Sequence, residues 1–162
     1  MLSIVRYGDP ILKKHSVVVP DINGDIRSLV SEMIEAMDRG RGVGLAAVQV
    51  GTLQRVFVTR IPGDSPRVFI NPDILETSIE EEPFEEGCLS IPGLYTDVIR
   101  PSWVRIQAWN AKGRPFSLTT DGYLGRVIQH EFDHLNGILF LDRIEPKKRQ
   151  RLLAGYQEKV EA

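Results

Sequence analysis

The chain contains three histidines, and two of them, His130 and His134, flank Glu131 in an H-E-x-x-H sequence. On an α-helix, residues four apart project from one face, so both imidazoles can reach one ion while the glutamate stands beside it. Glu131 is then a candidate base for a water activated by that ion, not a ligand. Two imidazoles leave such a site incomplete, and the source of the third ligand separates one chemistry from another. In the extended pattern H-E-x-x-H-x-x-G-x-x-H, Gly137 falls in place, but the last position is Phe140, which cannot bind metal. A zinc endopeptidase of the thermolysin kind would take a glutamate from a later helix, and Glu158 is the residue placed to serve. The sole cysteine, Cys88 in Glu86-Gly87-Cys88-Leu89-Ser90, offers instead a thiolate, a strong ligand for borderline or soft divalent ions. Cys88, His130 and His134 would leave a fourth position open to water. A closed structural site would need a fourth protein ligand, and His15 lies far off in a basic N-terminal segment.

Elements able to carry these residues follow from periodicity. Leu124, Val127, Ile128, Leu135 and Ile138 recur at helical intervals, Asp121 offers a side-chain N-cap and Asn136-Gly137 a stop, which predicts a partly buried helix bearing both histidines. Ile26, Leu29, Val30, Met33, Ile34 and Met37 mark an amphipathic helix over residues 25–37, ended by Gly40. Short β-prone runs follow at 55–59, 67–70 and 103–109, and Asn110-Ala111-Lys112-Gly113 reads as a hairpin turn into 115–118. Pro146 opens a final helix with Leu152, Leu153, Tyr156 and Val160 on one face. The acidic run Glu80, Glu81, Glu82, Glu85 and Glu86 reads as a solvated loop, because like charges repel and prefer water. This order predicts an α+β fold, with antiparallel β-sheets packed around a central metal-binding helix, N-terminal and C-terminal helices, and one domain over residues 1–162.

A net charge of −2 argues against nucleic acid as the main partner, and no direct DNA binding is expected. No stretch of about 18 apolar residues occurs, and the first ten residues include Arg6 and Asp9 without a signal-peptide core, so a soluble cytoplasmic protein without a membrane partner is expected. One cysteine excludes an intrachain disulfide. Lys147, Lys148, Arg149 and Arg151 read as an exposed helix face.

Taken together and in this order, G-V-G-L-A-A-V-Q at 42–49, E-G-C-L-S at 86–90 and Q-H-E-F-D-H at 129–134 resemble the peptide deformylases, which remove the formyl group from the N-terminal methionine of nascent chains. The likeness runs from Tyr7-Gly8-Asp9-Pro10 to Asp142-Arg143. It implies that Cys88, His130 and His134 bind the metal, that Glu131 is the catalytic acid and base, and that Gln49 and the Leu89 backbone N–H hold the formyl oxygen. The implied native ion is iron(II), with zinc, nickel or cobalt able to occupy the same ligands. N-formyl-methionyl nascent peptides are the implied partners, with contact to the ribosome through the C-terminal helix. An extended peptide would pair with Val43 and Gly44 as an added strand, the missing Cβ atoms of Gly42 and Gly44 letting it approach. Glu86 and Gly87 are expected to line the substrate site, and Tyr123 and Val127, with Ile128, an apolar pocket for the methionine side chain. Val48 and Gly125 depart from the family, where proline and alanine are common.

Overall fold

The strand β2 (Val56–Thr59) is buried at every position instead of alternating, and the cause lies on both sides of it. In the computed structural model, which describes the backbone of residues 2–161 and the side chains of residues 2–156, Val56 and Val58 belong to the apolar cluster around α1 (Gly24–Arg39). Phe57 belongs to the cluster around α2 (Gly122–Leu135). A strand covered by a helix on each face has no polar side with which to alternate. The same division runs across the sheet, with Leu45 and Ile70 on the α1 side and Ala46 and Phe69 on the α2 side.

That sheet is antiparallel and five-stranded, ordered β1 (Gly44–Ala46), β2, β3 (Arg67–Thr77), β6 (Trp103–Trp109) and β7 (Pro115–Asp121). The hairpin expected around Asn110 joins β6 to β7, and the Asn110 carboxamide accepts from Lys112 N and Arg114 N. α1 starts where Asn23 Oδ1 accepts from Asp25 N and Ile26 N, and it turns Ile26, Val30, Met33 and Met37 into the core.

The acidic run corrects the expectation of a solvated loop. It forms β4 (Glu81–Cys88), which pairs with β5 (Ile91–Pro101) in a separate two-stranded sheet. Extension sends successive side chains to opposite faces. Glu81 and Glu85 therefore remain in solvent while Glu86 turns inward and is buried.

α3 (Pro146–Glu161) docks Leu152, Leu153 and Tyr156 on a third apolar cluster containing Leu12, Ile91 and Phe140. Val160, expected on the same face, lies outside the described side chains. No helix among the described residues is long and apolar enough to cross a membrane.

Candidate metal centre and substrate cavity

Between Leu124 and Leu135, every α2 residue except Phe132 is buried, because the helix runs between the large sheet and the β4–β5 hairpin. Asp121 occupies the N-cap position but makes no side-chain capping bond there, contrary to expectation. The stop at Asn136-Gly137 holds: Gly137 adopts φ +73°, and a Cβ there would overlap the carbonyl of Lys13.

One turn of α2 separates His130 from His134, with ring centroids 5.1 Å apart. Cys88 arrives from the end of β4, where the pairing with β5 shifts register between Glu86 and Cys88. The shift includes Gly87, whose missing Cβ leaves room for the ring of Tyr95. One donor atom each from Cys88, His130 and His134 lies within 4.8 Å of the others, and Cys88 Sγ is 3.4 Å from His134 Nε2.

Glu86 accounts for the orientation of His130. Its Oε1 lies 2.8 Å from His130 Nδ1, leaving Nε2 to face the cluster. Arg100 grips both Glu86 oxygens at 2.7 and 3.0 Å, and Arg126 donates to Oε2 at 3.0 Å. Asp133 holds the far side of Arg100 at 2.8 Å and is itself gripped by Arg143. Burial alone would raise the Glu86 carboxyl, but the His130 hydrogen bond and the Arg100 guanidinium pull it down to about 2. Both Glu86 oxygens are thus committed inside the protein, although the residue forms part of the cavity wall. Phe140, where a third histidine would have stood, stacks on the His130 ring with centroids 5.7 Å apart.

Glu131 is buried beside these groups, with Oε2 3.9 Å from His130 Nε2 and Oε1 without a hydrogen-bond partner among the described residues. Burial pushes its carboxyl up to about 7. Gln49 sits in a single 3-10 turn (Ala47–Val50); Ala46 N donates to its Oε1 at 2.9 Å, aiming Nε2 at Cys88 Sγ and Ser90 Oγ, 3.4 and 3.1 Å away.

A cavity of about 440 Å³ opens onto this cluster and is lined by Val43, Gly44, Leu89, Tyr123, Val127 and Glu131 among others. Gln49, Glu86, Gly87, Cys88 and His130 also reach it. Ile128 does not: it is fully buried in the α2–sheet core, which corrects its expected place in the apolar pocket. The two glycines are also bare for a reason internal to the protein. A Cβ on Gly44 would stand 2.6 Å from Glu131 Oε2, and one on Gly42 would stand 2.6 Å from a methyl carbon of Leu89. Their bareness makes room for protein side chains lining the site.

The cluster suits a divalent cation. Burial opposes a proton on His130, yet Cys88, Glu131 and Glu86 together favour it and hold the ring well above the ordinary histidine range. Burial, reinforced by His130 and Arg100, holds His134 well below that range, so its lone pair is free. Two imidazole nitrogens and a thiol sulfur converge there, a donor set that suits ions of borderline softness. The rival third ligand, Glu158, lies on α3 among residues whose side chains are outside those described, and His15 is exposed. Sequence reasoning missed Ser90, Arg100, Arg126 and Asp133, whose side-chain partners lie between 10 and 41 positions away.

A family model described as polypeptide deformylase matches residues 1–150. The chain is 44% identical over 156 residues to the peptide deformylase of Borreliella burgdorferi, covering 96% of this chain and 94% of that one. Its fold is similar to the crystal structure of peptide deformylase from Ehrlichia chaffeensis, with a TM-score of 0.94, 35% identity and coverage of 99% and 97%. It is likewise similar to that from Synechococcus elongatus in complex with actinonin, with a TM-score of 0.91, 40% identity and coverage of 95% and 86%.

Proposed function

The chain belongs to the polypeptide deformylase family, and on that premise we propose that Cys88, His130 and His134 hold one divalent ion with Glu131 as the acid and base beside it. Its activity is metal-dependent hydrolysis of the formyl group from the N-terminal methionine of newly synthesised polypeptides, with release of formate. The observation that carries the site assignment is the convergence of three donor atoms within 4.8 Å beside a cavity that Cys88, His130 and Glu131 line.

A cation held there supplies Lewis acidity that lowers the pKa of water enough to give a nucleophile near neutral pH. Glu131, with Oε1 free of other bonds, accepts the proton that the attacking water gives up and returns it to the departing amine. Gln49 Nε2 and the Leu89 N–H receive the developing negative charge on the formyl oxygen. The long Nε2 contact to Cys88 Sγ is the one that this oxygen displaces, while the Ser90 bond keeps the amide in place. Glu86 acts from behind, fixing the ring of His130.

The peptide enters along β1. Arg60 N donates to the Val43 carbonyl at 2.8 Å, so strand alternation turns the N–H and C=O of Gly44 away from β2. An antiparallel peptide pairing there places its methionine side chain toward Val127 and Tyr123, both lining the cavity, with Phe84 5.5 Å from the Tyr123 ring. Iron(II) is the native ion in this reading, and zinc, nickel and cobalt compete for the same donors. The exposed Lys147 and Arg151 of α3 suit the ribosome contact that the resemblance implies, in the cytoplasm where nascent chains emerge. The site assignment is tested with Cys88→Ala and His134→Ala: each is expected to lose bound metal and turnover together. A Cys88→Ala protein that kept its metal and its coordination spectrum would assign the third ligand elsewhere.

A further inference from the structure

The chain leaves α1 through a turn in which Arg41 N donates to Asp38 O and Gly42 N to Met37 O, the paired bonds of a Schellman motif. Its left-handed position, which favours glycine, is taken by Arg41 at φ +59°, although glycines stand on either side of it. An arginine held in a conformation that a glycine would adopt without strain points to a use for its side chain.

Arg41 borders two cavities at once. One is the substrate cavity, and the other, of about 410 Å³, shares Arg41, Gly42 and Val43 with it and is also lined by Asp38, Arg60 and Asp64. In that second cavity the acids are taken: Arg60 Nη1 pairs with Asp38 Oδ2 at 2.7 Å, and Arg67 Nε with Asp64 Oδ2 at 2.7 Å. Arg41 forms no ion pair among the described residues. Arg60 also lines this second cavity, its charge already engaged by Asp38, and among the described residues its Nε is buried without an acceptor. Glu85 stands elsewhere on the wall of the substrate cavity, making the mouth positive at Arg41 and negative at the β4–β5 hairpin.

We propose that Arg41 is a specificity-determining residue that favours formyl-peptides with an acidic side chain at the third position. The inference rests on the peptide pairing described above. Counting antiparallel from a methionine opposite Gly44, the second residue faces Val43 and the third faces Gly42, next to Arg41. Because the guanidinium is exposed, the selection is modest and screened by salt.

The test compares kcat/KM for formyl-Met-Ala-Asp and formyl-Met-Ala-Lys at low ionic strength, using the metal-loaded protein. The aspartate peptide is expected to be favoured by about twofold to fivefold, as for an exposed ion pair, with the ratio shrinking in high salt. Arg41→Glu should invert the ratio. Arg41→Gly should bring it close to one while raising the unfolding temperature, because the strain at φ +59° is relieved. A ratio of one in the unaltered protein, or a preference that survives Arg41→Glu, would overturn the inference. Failure to release formate from either peptide would instead overturn the functional reading, and this inference with it.

Discussion

Glu86 Oε1 and His130 Nδ1 meet at 2.8 Å, which ties the ring that faces the metal cluster to a carboxylate held by two buried arginines. The pair converts a helix motif into a fixed donor geometry, because Nε2 has one direction left. Removing that carboxylate leaves Arg126 in the interior without a carboxylate partner and Arg100 with Asp133 alone. Glu86→Ala is therefore expected to destabilise the fold by about 3 kcal/mol and to weaken metal binding by about 10-fold to 100-fold. Denaturant unfolding and metal competition measure the two effects separately. Unchanged metal affinity in the Ala variant would remove Glu86 from the positioning role.

Glu131 is buried between the ligands, yet its Oε1 makes no bond within the described structure. A glutamine there keeps the shape and loses the ability to carry a proton. Glu131→Gln should retain a full complement of metal while kcat falls by about 10²-fold to 10⁴-fold. Metal analysis beside steady-state kinetics checks this, and near-normal turnover in the loaded variant would assign the proton transfers to another group.

Gly44 and Glu131 share a space that admits only one of them with a side chain. In Gly44→Ala the new Cβ would stand 2.6 Å from Glu131 Oε2 and 2.8 Å from Val127 Cγ1, so the carboxylate must move. Overpacking of this kind costs about 1–3 kcal/mol in stability, and displacement of the base should lower kcat by about 10-fold or more. Thermal unfolding and kinetics on the same preparation read both. Normal kcat in this variant would mean that the base tolerates the shift.

How much of this was legible in sequence depended on whether the signal was local. The histidine helix, α1 and the β6–β7 hairpin declare themselves by spacing and turn residues, because each signal lies within a short stretch of chain. The β4–β5 hairpin was hidden by charge: Glu81 and Glu85 are solvated while Glu86, next in sequence, is buried on Arg100 and Arg126. No local rule distinguishes those glutamates, since the partners of Glu86 lie 14, 40 and 44 residues ahead. Asp121 shows the reverse failure, a good N-cap residue in the right position whose side chain makes no capping bond. Ile128 shows a third kind, in which helical periodicity identifies a buried residue without saying whether it faces core or cavity.

Formate release from a formyl-Met-Ala-Ser peptide by the iron(II)-loaded protein, under anaerobic conditions, bears most directly on the whole account. One formate and one free methionine amino terminus should appear together, both should vanish on chelation, and no internal peptide bond should be cut. Absence of formate from the metal-loaded protein, or new amino termini arising inside the peptide, would contradict it.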